Sequence, residues 1–176
     1  MKYYAIQVKT RAEDKYIRLF KALHPETSLK VYFPKRKIDI RRKGVLIHST
    51  PAVFPGYVFV ELEADDDILK YHWDFRRTDG FFRFLKSNQN IQALHDKDLE
   101  LVLHFIKNAG PVADKSKVYF DENSRIVVME GPLMGLEGNI IKVDKRKGRA
   151  KIKLDLYDES FVIDLAFELI GTPARR

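Results

Sequence analysis

Apolar and polar positions along the first hundred residues switch repeatedly between a period of two and a period near 3.6. Tyr4, Ile6 and Val8 alternate with polar neighbours, which predicts a first strand. Thr10 and Glu13 then stand at capping-box spacing, so a helix is expected to begin there, with Tyr16, Phe20 and Leu23 on one face. His24-Pro25 ends it, because the residue before a proline is pushed out of the α region. SLKVYFPKRK reads as a second strand interrupted by Pro34, and residues 38–50 pass through Gly44 as a protruding hairpin or loop. VFPGYVFVEL gives a strand entered by a Pro-Gly turn, with Val58, Val60 and Leu62 facing away from Tyr57, Phe59 and Glu61. EADDDILKYHWDF predicts a short helix, its acids suiting the positive end of the helix dipole. FFRFL predicts another strand, with Phe82 and Phe84 in the core. DKDLELVLHFIKNAG then places Leu99, Val102, Leu103 and Ile106 at helical spacing before Gly110-Pro111 stops it.

The periodicity fails over PVADKSKVYFDENS, which reads as a linker. Beyond it the pattern is strand only: RIVVM, NIIKVD, KIKLDL, SFVIDL and FELI, five short strands that predict a small closed barrel. The expected fold class is therefore α+β. A mixed domain covers residues 1–108, a linker 109–123, and an all-β domain 124–176.

Charge sharpens this division. The chain of 176 residues carries a net charge of +7. Residues 35–43 hold six cations (Lys35, Arg36, Lys37, Arg41, Arg42 and Lys43) against Asp39, and residues 142–153 hold seven against Asp144. The two runs together exceed the net charge, so the remainder is slightly acidic. Paired clusters of this kind are the footprint of a polyanion partner. Cysteine is absent, which removes disulfides, thiolate zinc sites and cysteine nucleophiles. No apolar run approaches the eighteen or so residues of a membrane span, and the N-terminus goes directly into strand pattern, so a cytoplasmic protein is expected.

The stretch VVMEGPLMGLEGNIIKVDKRKGRAKIKL resembles the KOW motif that opens an SH3-like barrel, with Gly131, Gly135 and Gly138 at turns or bulges. Together with FPGYVFV and the opening KYYAIQVKTRAED, the chain resembles NusG-family transcription factors, in which an NGN domain precedes a KOW domain. That resemblance implies a monomeric, non-enzymatic factor without cofactors that grips the clamp helices of RNA polymerase's largest subunit. Tyr3, Tyr4, Phe33, Phe54, Pro55 and Tyr57 would supply an aromatic surface, with Gly56 allowing close approach. Arg76, Arg77 and Thr78 would meet the second-largest subunit.

The barrel loop has Leu133, Met134 and Leu136 where general members of the family carry an aromatic for Rho or a ribosomal protein. The GPLxGLEG and VDKRKGRAK wording looks most like the LoaP branch, specialised antiterminators that engage RNA hairpins. Lys145, Arg146, Lys147 and Arg149 would then form a basic tip for an RNA stem, flanked by Lys142, Lys151 and Lys153. The first run, Lys35, Arg36, Lys37, Arg41, Arg42 and Lys43, has two readings: an extension of the RNA surface, or a contact with DNA near the upstream fork. A housekeeping NusG-type factor and a ribosome-associated RNA-binding protein are the alternatives. An enzyme is disfavoured, because no phosphate cradle, nucleophile elbow or zinc motif is present, and His24, His48, His72, His95 and His104 lack paired ligand spacing. A helical form of the C-terminal domain, as in the RfaH branch, is disfavoured by the strict alternation of KIKLDL.

Overall fold

The computed structural model describes residues 1–171 apart from 28, 65 and 109. From the N-terminus, β1 (Lys2–Val8), α1 (Glu13–Leu23) and β2 (Lys30–Tyr32) lead to a short β3 (Lys35–Arg36) and then to β4 (Ile38–Arg42) and β5 (Val45–Ser49). They are followed by β6 (Tyr57–Leu62), α2 (His72–Arg77), β7 (Phe81–Phe84) and α3 (Asp96–Leu103), which continues as a π-helical turn at His104–Asn108. The remaining elements are all strands apart from one 3-10 turn: β8 (Val112–Ala113), β9 (Ser116–Phe120), β10 (Ile126–Glu130), β11 (Ile140–Asp144), β12 (Arg149–Leu156) and β13 (Glu159–Leu169). These elements form two compact units. The first is Met1–Pro34 with Phe54–Glu100, and the second is Lys35–Val53 with the chain from Leu101 onward.

In the first unit an antiparallel sheet runs β2-β6-β1-β7. One sheet face sends Tyr4, Ile6, Val8, Val58, Val60 and Leu62 into a core completed by Tyr16 and Phe20 of α1 and Phe75 of α2. Phe20 and Phe75 stack with ring centroids 4.2 Å apart, and the Tyr16 hydroxyl donates to the Phe75 carbonyl at 2.9 Å. Leu23, expected on the buried face of α1, is exposed, because it is the helix's last residue and the chain leaves at His24.

The FPGY segment is a tight turn. Tyr57 N–H donates to the Phe54 carbonyl at 3.2 Å, and Gly56 at the third position has φ +84°, which a side chain would strain. Space forbids one as well, since a Cβ there would sit 2.9 Å from Thr10 Oγ1. Glu13 Oε1 accepts the Gly56 N–H at 2.7 Å in a buried position, and Val8 N–H donates to the Gly56 carbonyl. The expected capping box is therefore not formed: α1 starts after Ala12 without a side-chain cap, because the carboxylate that would have closed the box holds the turn instead. The acids expected to cap the next helix cap a 3-10 turn at Ile68–Lys70 instead, Asp67 Oδ1 accepting from Leu69 N–H at 2.9 Å, and α2 starts after Tyr71 without a side-chain cap.

In the second unit a five-stranded sheet runs β10-β9-β13-β12-β11, antiparallel except where β13 meets β9. Ala150, Ile152, Leu154, Leu156, Ile163, Leu165 and Phe167 alternate inward along its two longest strands. Five strands were expected, but two memberships differ. SFVIDL and FELI are one eleven-residue strand, and the fifth place is taken by β9, which lies in the stretch read as linker. Ser116 and Val118 are fully buried, so this stretch carries its own inward alternation beneath a polar surface composition. Residues 172–176, the end of the expected all-β domain, lie outside the described residues, as does Asp65 of the acidic cluster.

The expected hairpin at residues 38–50 is present as β4 and β5, paired from Ile38↔Ser49 to Arg42↔Val45. Lys43 and Gly44 close it, both at positive φ, the two-residue loop whose twist suits a hairpin. Among the described residues no helix is long and apolar enough to cross a membrane.

Candidate nucleic-acid interface

The β11–β12 hairpin carries the second basic run. Its loop is held from inside: Asp144 Oδ1 accepts the Lys147 N–H at 2.9 Å, and Phe167 N–H donates to the Gly148 carbonyl at 2.8 Å. The Asp144 carboxyl lies below its usual range, led by this backbone hydrogen bond. Lys145 extends its ammonium over the Phe120 ring, 4.0 Å from the centroid, while Arg146 and Lys147 are exposed. Arg149 is mostly covered and donates to the Asp39 carbonyl. Lys151 Nζ lies 3.7 Å from Asp164, Lys153 Nζ 3.7 Å from Asp155, and Lys142 is exposed on the neighbouring strand. A fixed loop carrying exposed cations can meet phosphates with little ordering cost.

The first basic run divides in two. Lys35 is half-buried in β3, which pairs with β8. Arg36 donates to the carbonyls of Asp164, at 2.8 Å, and Ala52. Burial pushes its guanidinium down to about 10, against the pull of Asp164. Lys37 pairs with Asp114 at 2.8 Å. Two of the Arg36 donors, Nε and Nη1, are thus taken up inside the fold. Arg41, Arg42 and Lys43 are exposed at the hairpin end.

Both runs belong to the second unit, and there they converge. Asp39, Ile40, Arg41 and Leu46 from β4 and β5 face Arg146, Lys147 and Arg149 across an open groove of about 680 Å³. A smaller pocket of about 140 Å³ shares Lys147 and Arg149 and adds Lys142, Asp144, Lys151 and Asp164. Asp39 does not neutralise the groove. Its carboxylate accepts from Lys115 Nζ and lies beside His48 Nδ1, each at 2.6 Å, and these contacts hold it below the usual carboxylate range.

On the first unit most of the expected aromatic surface is interior. Tyr3, Tyr4, Phe54 and Tyr57 are buried, as is Gly56. The reason is position: β1 and β6 are the two central strands, and both of their faces are covered. Tyr3 contributes instead to a polar cluster in which it and Tyr32 donate to Glu61 Oε2 at 2.7 and 2.9 Å, while Lys30 donates to Oε1 at 2.9 Å. Burial works to raise the Glu61 carboxyl, but the three donors together bring it down to about 2. Burial first, then the bond to Glu61, pushes the Tyr3 hydroxyl up. Phe33 is half-buried and Pro55 exposed. Thr78 is also buried, its hydroxyl donating to the Asp74 carbonyl, whereas Arg76 and Arg77 are exposed.

Two exposed aromatics were missed. Trp73 is 58% exposed, with Arg76 and Arg77 lying 4.9 and 5.9 Å from its ring centroid. Their i, i+3 and i+4 spacing in HWDFRR carried that signal. Phe82, expected in the core beside Phe84, is 59% exposed. Gln7 pairs with Arg83 and Val8 with Phe81, which leaves Phe82 as the extra residue of a β-bulge. Among the described residues no group of three or more acids and histidines could hold a metal ion.

A family model described as transcription termination factor NusG matches residues 1–103. The chain belongs to the NusG family. Its likeness extends beyond the matched segment: the transcription termination/antitermination protein NusG of Synechocystis is 24% identical over 94% of this chain and 86% of its own length. The Neisseria meningitidis NusG is 22% identical over 96% of each. A solved structure described as "Domain interaction in Thermotoga maritima NusG" superposes with a TM-score of 0.50 at 17% identity, over 94% of this chain and 93% of that one, which supports the fold. This NusG-like chain is accordingly a transcription termination/antitermination factor and not an enzyme.

Proposed function

We propose that this chain is a specialised elongation factor that binds RNA polymerase across its cleft, promotes processive antitermination, and is recruited by an RNA hairpin in a leader transcript. The observation that carries the reading is the preorganised cationic loop of β11–β12, with Arg146 and Lys147 exposed and Lys145 set on Phe120. An RNA stem is recognised chiefly through its shape and backbone, because its deep major groove is hard to read, and a rigid basic tip suits that task. Domain 124–176 supplies this contact and domain 1–108 the polymerase contact.

On the polymerase side Pro55, Arg76 and Arg77, joined by Trp73 and Phe82, offer contacts to the clamp helices and to the second-largest subunit. A factor that binds the closed clamp better than the open one shifts the population toward the closed state and suppresses termination. In this reading the protein acts as a cytoplasmic monomer of the LoaP type, and Arg42 and Lys43 face DNA near the upstream fork.

A salt titration of binding to leader hairpins, with matched single strands and duplex DNA as competitors, tests the recruitment step. Tight binding to one hairpin that survives moderate salt is the expected result. Weak binding to every nucleic acid, erased by salt, would instead favour a housekeeping factor whose barrel takes Rho or a ribosomal protein.

A further inference from the structure

Arg41 and Leu46 are directly opposite in the β4–β5 register, and Asp39 lies two residues along, so all three share one face of that hairpin. This face forms one wall of the 680 Å³ groove, and Arg146, Lys147 and Arg149 form the other. Like charges that face each other across a groove repel unless an anion sits between them. Among the described residues neither the Arg41 nor the Arg146 guanidinium has a carboxylate partner, and the carboxylate of Asp39 is turned to Lys115 and His48. The arrangement is also fastened in place. The Arg149 guanidinium donates to the Asp39 carbonyl, which ties the barrel wall to the hairpin wall.

We infer that the two basic runs build a single cradle for one strand of an RNA stem, with Arg41 and the barrel tip gripping the same phosphodiester backbone. This inference rests on the RNA reading above and enlarges its site from the tip alone to both walls. The dimensions suit a strand, since a groove of this size lies in the range of small-ligand clefts and holds a stretch of backbone but not a duplex. Leu46 gives it an aliphatic wall against which sugars can lie, while Arg41, Arg146 and Lys147 meet phosphate oxygens. The smaller pocket that shares Lys147 and Arg149 extends the positive track toward Lys142 and Lys151. Residues 41 and 146 are more than one hundred positions apart, so the site exists only once the chain has folded.

The test uses the full chain, a fluorescein-labelled RNA hairpin with a fully paired stem, and a DNA hairpin of matching sequence. Affinity is read by anisotropy across a salt series for the wild type, Arg41→Gln, Arg146→Gln, the double variant, and Arg18→Gln, in α1 of the first unit, as an exposed charge-loss control. The cradle predicts that Arg41→Gln and Arg146→Gln each weaken RNA binding by about five- to tenfold and flatten the salt slope by about one. It also predicts that their combined loss departs from the product of the single losses, while Arg18→Gln stays near wild type. Wild-type affinity and slope in Arg41→Gln, with Arg146→Gln impaired, would overturn the cradle and leave the tip reading intact. No binding of the RNA hairpin by the wild type would overturn both. Equal binding of the DNA hairpin with the same dependence on Arg41 would overturn the assignment to RNA.

Discussion

Two hairpins in the second unit carry similar charge and differ in support. The β4–β5 hairpin ends in Arg42-Lys43-Gly44 and, among the described residues, pairs with no third strand, and Ile40, Val45, Leu46 and Ile47 along it are all at least 41% exposed. The β11–β12 hairpin belongs to a five-stranded sheet, and its loop is braced by Asp144, Phe120 and Phe167. Equal charge density therefore does not make equal binding elements. What separates them is how much of the ordering cost has been met before a ligand arrives. The weaker hairpin gains order through Asp39, which reaches Lys115 and His48 with its carboxylate and Arg149 with its carbonyl.

The comparison can be broken most severely by removing the braced cations. Replacing Lys145, Arg146, Lys147 and Arg149 together by glutamine is expected to lower RNA-hairpin affinity by on the order of 100-fold while polymerase binding persists, as competition binding would measure. Next come the loop glycines. A Cβ at Gly148 meets the Phe167 carbonyl oxygen at 2.8 Å and needs φ +62°, whereas Gly44, at φ +80°, has open space around it. Chemical denaturation should therefore show Gly148→Ala destabilising by about 2–3 kcal/mol and Gly44→Ala by only about 1 kcal/mol. Phe120→Leu frees Lys145 from its ring and should reduce RNA affinity by about two- to fourfold, consistent with an exposed cation–π contact. The smallest effect is acid loosening of β4–β5. Because hydrogen bonds from Lys115 and His48 hold the Asp39 carboxyl below its usual range, its contribution is complete at pH above the unfolded carboxylate range. It is lost as the pH falls through the depressed value. Hydrogen exchange should report faster β5 amides as the pH falls, after correction for intrinsic rates, and Asp39→Asn should remove most of that dependence.

The first unit offers the same sign with a larger shift. The Glu61 carboxyl stands near 2, against about 4.5 when unfolded. Its stabilisation should therefore be full above about 4.5 and vanish as the pH falls toward 2. Thermal melts of Glu61→Gln and wild type should converge at the acid end.

Much of this fold was legible in the chain because periodicity and burial agree wherever strands pair regularly. The hairpin at 38–50, the Pro-Gly turn before β6, a short helix after Leu62 and the alternation of β12 were all read in place. The misses have local causes. Phe82, expected in the core, is exposed where strand register shifts at a bulge, which a count of alternating letters cannot locate, and Met129 and Ile141 are exposed at register shifts of the same kind. β9 hides in a polar stretch because only Ser116 and Val118 among its residues turn fully inward. Thr10 and Glu13 had the spacing of a cap, but a tertiary partner, the Gly56 N–H, took the carboxylate. The candidate site shows the same division. Both basic runs were evident as charge, but their shared groove depends on Asp39 and Leu46, which no local pattern distinguishes.

In the proposed function an RNA hairpin recruits this NusG-family chain to polymerase through the second unit. The most direct measurement is terminator readthrough by purified elongation complexes on paired templates that differ only in a leader hairpin the protein binds. The account predicts that added protein raises readthrough on the hairpin template alone, and that the glutamine-substituted tip abolishes the gain. Equal readthrough on both templates, or a gain that survives loss of the tip, would contradict it.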